Sequence, residues 1–363
     1  MYSNKVYFYP HKYLRDRHLD TIRGWNKKNV INPELASKKK GDQVSKVSAL
    51  RTNIKWNWKK KIPLLNIKFR PNKAPRNSII YSWGALIATG KFIIDIDNPY
   101  SITGYNINSF KYYKLIIRLI LLSNRCIAIH CLSYACKKSL GNLLGKKVYE
   151  KSIVKYPKLK INPELKKLNK QEKIVRFLYI STQFHIKGGL ALIKAFKEVY
   201  RKNNKCTLDM ITYLPNNLID VVKKCEGITI YEPGISREKI FKDFMMHSDV
   251  LIHPTYMDSF GMVILEAMSH GMAIIATDVY AIREMVKNNF NGYLLNPPIS
   301  KWNGTKPRDF YNNEKKFLNL ILNLDITKFS KKLEESIYNI VKRPRLLIEF
   351  KRNSSNLFNS KFK

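Results

Sequence analysis

The sequence predicts an α/β protein of two domains built on parallel sheets, and three observations carry that prediction. Between residues 249 and 292 an apolar strand, Val250 to His253, passes through Pro254-Thr255 and a polar loop into an amphipathic helix. Gly271 ends the helix, and a second buried strand, Met272 to Ala276, follows at once. Strand, loop, helix and strand at this length form a βαβ unit of a parallel sheet. The 363 residues, 45% of them apolar, suffice for two domains with full cores. Between them, residues 156–173 are polar, contain two prolines and lack a sustained apolar pattern, which marks a boundary.

In parallel sheets ligands sit beyond the carboxyl ends of the strands, where helix N-termini offer unpaired N–H groups to anions. The loop from Asp258 to Met262 lies at such a place. Ser259 is of the N-cap type and Gly261 lets the backbone approach a ligand. Asp258 precedes Glu266 by eight positions, which places one carboxylate at the helix mouth and the other about two turns in. Carboxylates accept from sugar and ribose hydroxyls, and amides at the same mouth face a phosphate.

Taken in order, Asp258, Phe260, Gly261 and Glu266, then Ala267-Met268, Gly271, Ala276-Thr277-Asp278, Glu284 and Asn291-Gly292, resemble the donor-binding signature of the retaining GT-B glycosyltransferases of family 4. Asp258 stands where Glu is usual, and Ala281 where Gly is common. A second loop, Ser181 to Gly189, resembles the family's first loop of the C-terminal domain, in which an Arg and a Lys clamp the donor diphosphate. Lys187 matches, with Gly188 behind it; Thr182 stands in the place of the Arg.

The resemblance implies two Rossmann-like βαβ domains facing a cleft. Residues 1–165 would hold the acceptor and residues 166–345 a nucleotide sugar, with a terminal helix, 346–363, crossing back to the N-terminal domain. It implies transfer from a UDP- or GDP-sugar to a glycan or lipid-linked acceptor, with retention, no cofactor and no metal. Catalysis would fall to Asp258, Lys187 and Glu266. Donor binding would involve Thr182, Lys187, Gly188, Asp258, Ser259, Phe260, Gly261, Met262 and Glu266, with Glu266 on the ribose hydroxyls, Asp258 near the transferred sugar, and the amides of Phe260, Gly261 and Met262 on sugar or phosphate oxygens. Cell-surface polysaccharide or glycolipid synthesis is the implied setting. Two other readings stay open: a related sugar-nucleotide epimerase, and an inactive GT-B-like basic protein that binds nucleic acid or membrane.

The formal charge of +39 is uneven. Residues 1–165 hold 33 Lys and Arg against 8 Asp and Glu, whereas residues 226–300 hold 5 against 9. Part of this follows from a Lys-, Asn- and Ile-rich composition; the rest invites nucleic acid or an anionic membrane surface as partner, and the resemblance, which implies lipid-linked or envelope acceptors, favours the membrane. No stretch reaches the roughly 18 apolar residues of a membrane span, and the N-terminus reads as polar and basic, without a secretory signal. The expected location is the cytoplasm, peripheral to the inner face of the membrane. Five cysteines without a C-x-x-C pair argue for a reducing compartment and against a disulfide framework.

Along the chain, Lys5 to Tyr9 reads as a strand and Leu14 to Trp25 as a helix, with no glycine-rich loop between them. Residues 26–61 are Lys- and Asn-rich, with Trp56 and Trp58, a surface loop or a stretch suited to a single strand of nucleic acid; the resemblance implies a place for the acceptor or lipid there. Ser78 to Trp83 and Phe92 to Ile96 are strands. Asp95 and Asp97 at the end of the second fit either a strand-end cap or a metal or general-base site; the resemblance places them on the acceptor side. Lys111 to Ser123 reads as a basic amphipathic helix, core-facing with a solvated basic side, or more weakly a membrane-surface helix. Cys126 to Cys131 is a strand carrying a core or cleft histidine with no special task, His130, and Ser133 caps the next helix. In the second half, Ile174 to Ile180, Leu208 to Tyr213, Ile228 to Tyr231 and Tyr293 to Leu295 are strands, and helices cover Leu190 to Tyr200 and Ile240 to His247. Residues 300–312 read as a polar loop, and Phe317 to Leu324, Lys331 to Val341 and Leu346 to Phe358 as helices.

Overall fold

The computed structural model describes residues 5–10, 14–37, 63–159 and 174–362. Trp56 and Trp58, and most of the stretch expected to meet an acceptor or nucleic acid, lie outside these residues, as does most of the 156–173 boundary. The chain divides into two compact units, Met1–Lys158 and Leu159–Lys363.

In the first unit, strands β1 (Val6–Tyr9), β2 (Ile79–Trp83), β3 (Phe92–Ile96), β4 (Cys126–Cys131) and β5 (Ser152–Val154) form one parallel sheet in chain order. Phe8, Tyr81 and Ile93 pack on its buried face with Ile22 of helix α1 (Asp16–Arg23). Helix α2 (Ile107–Leu122) starts at Asn106, whose side chain accepts from Ser109 N, and buries Phe110, Ile117 and Leu121. The apolar residues of this helix, expected to face the core, divide. Ile117 turns inward, whereas Ile116 and Leu119 face outward, so the solvated side of this helix is not purely basic. Helix α3 (Tyr134–Leu144) begins at Ser133, whose Oγ accepts from Cys136 N at 3.0 Å, and α4 (Lys146–Lys151) follows.

The second unit is a six-stranded parallel sheet of β6 (Val175–Ser181), β7 (Cys206–Thr212), β8 (Ile228–Tyr231), β9 (Val250–His253), β10 (Ala273–Thr277) and β11 (Gly292–Leu295), in the order β8-β7-β6-β9-β10-β11. This is a doubly wound arrangement in which the chain reverses direction between β6 and β9. Runs such as Phe177, Leu178 and Tyr179, or Ala273 through Ala276, are buried on both faces, as parallel strands require. Helix α5 (Gly189–Lys202) covers one face through Leu192, Phe196 and Val199. Helix α6 (Met262–Ser269) connects β9 to β10.

Residues 300–312 are more ordered than a polar loop. Trp302–Asn303 pairs with Lys306–Pro307 in a small hairpin, and Trp302 stacks on Tyr280 at 4.1 Å between ring centroids. Helices α7 (Glu314–Leu322), α8 (Thr327–Lys342) and α9 (Pro344–Lys361) close the unit. The terminal helix α9 packs against α6, β10 and α8 and buries Phe350 and Phe358. All five cysteines are free and buried, each a small hydrophobe in a core. No helix among the described residues is long and apolar enough to cross a membrane.

Candidate active site

The second unit gathers its polar residues where the sheet reverses. The loop after β6 carries Lys187 and the loop after β9 carries Asp258; because β6 and β9 are neighbours, the two loops lie side by side at the carboxyl ends of their strands. Tyr256 N donates to Ile186 O at 2.9 Å and joins them. Gly188 lets them approach: its φ is +72°, and a Cβ there would lie 2.2 Å from the carbonyl oxygen of Pro254.

Lys187 Nζ donates to Asp258 Oδ2 and to Met257 O, both at 2.7 Å. Two of the three ammonium protons are therefore engaged by the neighbouring loop. Asp258 Oδ2 also meets His253 Nε2 at 3.0 Å, and Asp258 Oδ1 accepts from Phe260 N at 3.2 Å and Gly261 N at 2.9 Å. Burial alone would raise the Asp258 carboxyl, but the charge of Lys187 and the hydrogen bond from His253 outweigh it and hold the group well below the usual carboxylate range. Burial pushes His253 the other way, toward its neutral form. A neutral ring with its proton on Nε2 donates to the carboxylate, which leaves Nδ1 buried with no partner among the described residues.

Several expected roles change with this geometry. The amides of Phe260 and Gly261, assigned to sugar or phosphate oxygens, are spent on Asp258 Oδ1. Those of Met262 and Val263, the first two residues of α6, remain at the helix N-terminus, since the first bonded helical amide is Ile264 N, on Gly261 O. The N-cap of α6 is Gly261, at φ +89°, and not Ser259, which lies half-buried two residues earlier. Because the helix begins at Met262, Glu266 sits about one turn in rather than two. The Phe260 side chain is buried, and Thr182 is exposed at the start of its loop. Ala281, in the place of a common Gly, has an ordinary right-handed backbone at φ −90°, so its methyl group introduces no backbone strain.

Two functional candidates escaped the sequence. Arg237 Nε donates to Glu266 Oε1 at 2.8 Å, and its guanidinium lies 4.9 Å from the ring of Phe241. The pair spans 29 residues, so no local spacing announces it. His253 had a signal, a polar residue ending an otherwise apolar strand immediately before the loop that bears Asp258.

In the first unit Asp95 and Asp97 have different hydrogen-bond partners, although the charges of both act on Arg17. Asp95 Oδ1 accepts from Arg17 at 2.8 Å and Oδ2 from Tyr81 at 2.9 Å, whereas Asp97 Oδ1 caps Asn98 N at 3.0 Å and both its oxygens accept from Tyr105. Among the described residues no group of three or more His, Cys, Asp or Glu is placed to hold a metal ion. His130 is more than core filling, since its Nδ1 meets Tyr81 Oη at 3.1 Å. Burial, aided by Lys155 and opposed by Asp95, pushes its pKa down to about 4.

The unfolded imidazole protonates near pH 6.5 and the folded one only near 4, so the unfolded state binds the extra proton and stability is lost as pH drops through that window. Urea unfolding at pH 7 and pH 4.5 is expected to show a loss that is smaller in His130→Gln by about 2 to 3 kcal/mol. An equal loss in both proteins would remove His130 from the acid response.

Residues 160–321, a little under half of the chain, match the family model described as Glycosyl transferases group 1. Among curated proteins, an uncharacterized 41.2 kDa protein in the cps region of Klebsiella pneumoniae is 31% identical over 77 residues, covering 21% of this chain and 22% of that protein. The uncharacterized glycosyltransferase MJ1607 of Methanocaldococcus jannaschii is 25% identical over 134 residues, covering 34% of this chain and 33% of its own. The matches thus span a third or less of either relative. Among solved structures, Anabaena Alr3699/HepE in complex with UDP and glucose aligns over 99% of this chain and 96% of its own, at a TM-score of 0.58 and 13% identity. A glycosyltransferase from Rickettsia africae ESF-5 aligns over 100% and 95%, at 0.58 and 16%. S. aureus TarM, solved as a point mutant with fondaparinux, alpha-GlcNAc-glycerol and UDP, aligns over 79% and 53%, at 0.55 and 15%. The chain therefore has a GT-B-like α/β fold, and its second unit carries the Glycosyl transferases group 1 match.

Proposed function

We propose that this chain is a retaining glycosyltransferase of family 4 that moves a sugar from a UDP- or GDP-sugar to a glycan or lipid-linked acceptor. The observation that carries the reading is the pairing of Lys187 with Asp258 at the sheet's reversal point, beside the N-terminus of α6. A cation and two unspent helix amides are what a departing nucleoside diphosphate needs, and they supply that stabilisation without a divalent metal. The HepE structures with UDP and glucose, and the TarM structure with UDP, support a nucleotide sugar as donor.

In this reading Glu266, held by Arg237, accepts from the ribose hydroxyls. Lys187 and the amides of Met262 and Val263 bind the diphosphate. The bond from the anomeric carbon to the phosphate oxygen breaks, and a bond to the acceptor hydroxyl forms on the same face. The acceptor proton passes to the departing phosphate oxygen. Asp258 does not need to touch the sugar to matter, because it holds Lys187 in place until a diphosphate shares that ammonium. Asp95 and Asp97 are kept as acceptor-side residues, and the setting proposed is cell-surface polysaccharide or glycolipid synthesis at the cytoplasmic face of a membrane.

The test is a thermal-shift panel with UDP, GDP, ADP and their sugars. One base is expected to stabilise the protein; a ligand at about a hundred times its dissociation constant contributes roughly 2.7 kcal/mol. A flat response to every nucleotide, alongside a shift with polyanions, would replace the transferase by a basic binding protein on the same scaffold.

A further inference from the structure

The outward side of α2 is apolar and, among the described residues, uncovered. Tyr112, Leu115 and Leu119 are 73%, 72% and 69% exposed, and Ile116 is 47% exposed. At about 100° per residue these four fall within one sector of the helix, opposite the Phe110, Ile117 and Leu121 side that packs on the unit. Leu64, 41% exposed, lies beside this sector, because its N–H donates to Ser109 Oγ at 3.3 Å and the preceding Pro63 accepts from Tyr113 Oη at 3.0 Å.

Lys111, Lys114 and Arg118 line one border of the sector at neighbouring helical angles, and the sixteen residues of the helix include no Asp or Glu. A solvated helix would carry its charges at the centre of the outward face and its leucines inward. Here the order is reversed. The leucines stand out, with the cations along the rim.

We infer that this face of α2 docks on an anionic membrane surface. An interfacial helix lays such a sector about 5 to 10 Å into the boundary of headgroups and acyl chains, while rim cations meet anionic lipid. Charge decides between this and a second copy of the chain. Two copies of the face would bring cationic rims together, in a half of the chain already holding 33 basic against 8 acidic residues, whereas an anionic bilayer neutralises them. The inference rests on the first unit alone and does not depend on the transferase reading, which the nucleotide panel tests in the second.

The test is co-sedimentation of the full chain with vesicles of phosphatidylcholine, with and without about 30% phosphatidylglycerol, in low and high salt. The wild type is expected to bind the anionic vesicles and to be released by salt. Leu115→Gln with Leu119→Gln, and separately Lys111→Glu with Lys114→Glu, should each cut the partition coefficient at least tenfold; removing one rim cation alone is worth roughly fivefold. All four side chains are exposed, so the melting temperature should hold within about 2 °C and confirm that the variants fold. Absence of vesicle binding overturns the inference, as does equal binding to neutral vesicles or unchanged binding by both double variants. A wild-type dimer that Leu119→Gln dissociates, with no vesicle binding, would assign the face to a second copy instead.

Discussion

Glu266→Ala is expected to abolish the nucleotide-dependent thermal shift and to weaken nucleotide binding by about a hundredfold or more. A carboxylate accepting from two ribose hydroxyls makes two charge-assisted hydrogen bonds, each worth roughly 1.5 to 3 kcal/mol, and each 1.4 kcal/mol is about tenfold in affinity. The same substitution also removes the carboxylate that Arg237 pairs with; the Arg237 side chain is 18% exposed against 15% for Glu266. A partly buried guanidinium that loses its carboxylate should lower stability by about 1 to 2 kcal/mol. Titration calorimetry with the nucleotide that the panel identifies separates the two effects, because affinity and melting temperature are read independently. A lower melting temperature with unchanged affinity would reduce the pair to a structural bridge and remove Glu266 from the site. Arg237→Met sharpens the distinction. It keeps the carboxylate but removes its ion pair with Arg237, so an affinity loss of about tenfold would assign Arg237 the task of orienting Glu266.

The fold was legible because parallel-sheet strands are buried on both faces and show as unbroken apolar runs such as Val250 to Ile252. The loops that cap them carry Gly where the backbone turns. Lys187, Asp258, Glu266 and Gly188 were legible for the same reason, each lying at a strand end or helix start with recognisable neighbours. What stayed hidden was long-range pairing. Nothing local shows that Lys187 would reach across to the next loop or that Arg237 would find Glu266, whereas the bonds of Asp258 to the amides of Phe260 and Gly261 are the local turn chemistry of an Asp two and three residues upstream. The α2 helix failed differently. Its sequence is apolar at positions that point both inward and outward, so periodicity alone could not say which leucines the core would take.

Gly188→Ala is expected to cost more than about 4 kcal/mol and to lower the melting temperature by at least about 8 °C. Two terms add. An L-residue at φ +72° carries a strain of roughly 1 to 2 kcal/mol, and the new Cβ would start 2.2 Å from the Pro254 carbonyl oxygen. That oxygen is backbone and has little room to yield. Its loop is held by Thr255 N on His253 O and Tyr256 N on Ile186 O, both at 2.9 Å. Relief therefore requires the Lys187 loop to move off the Asp258 loop, which opens the Lys187–Asp258 pair and adds its loss to the strain. Gly304→Ala isolates the first term, since Gly304 has a similar φ of +58° with nothing within 4 Å of a Cβ. Its expected cost is about 1 to 2 kcal/mol. If the two alanine variants melt together, the approach of the two loops is not what fixes glycine at 188. If Gly188→Ala melts far lower and Gly304→Ala does not, the contact that brings Lys187 to Asp258 also holds the second unit together, and the proposed donor site cannot be loosened without loosening the fold.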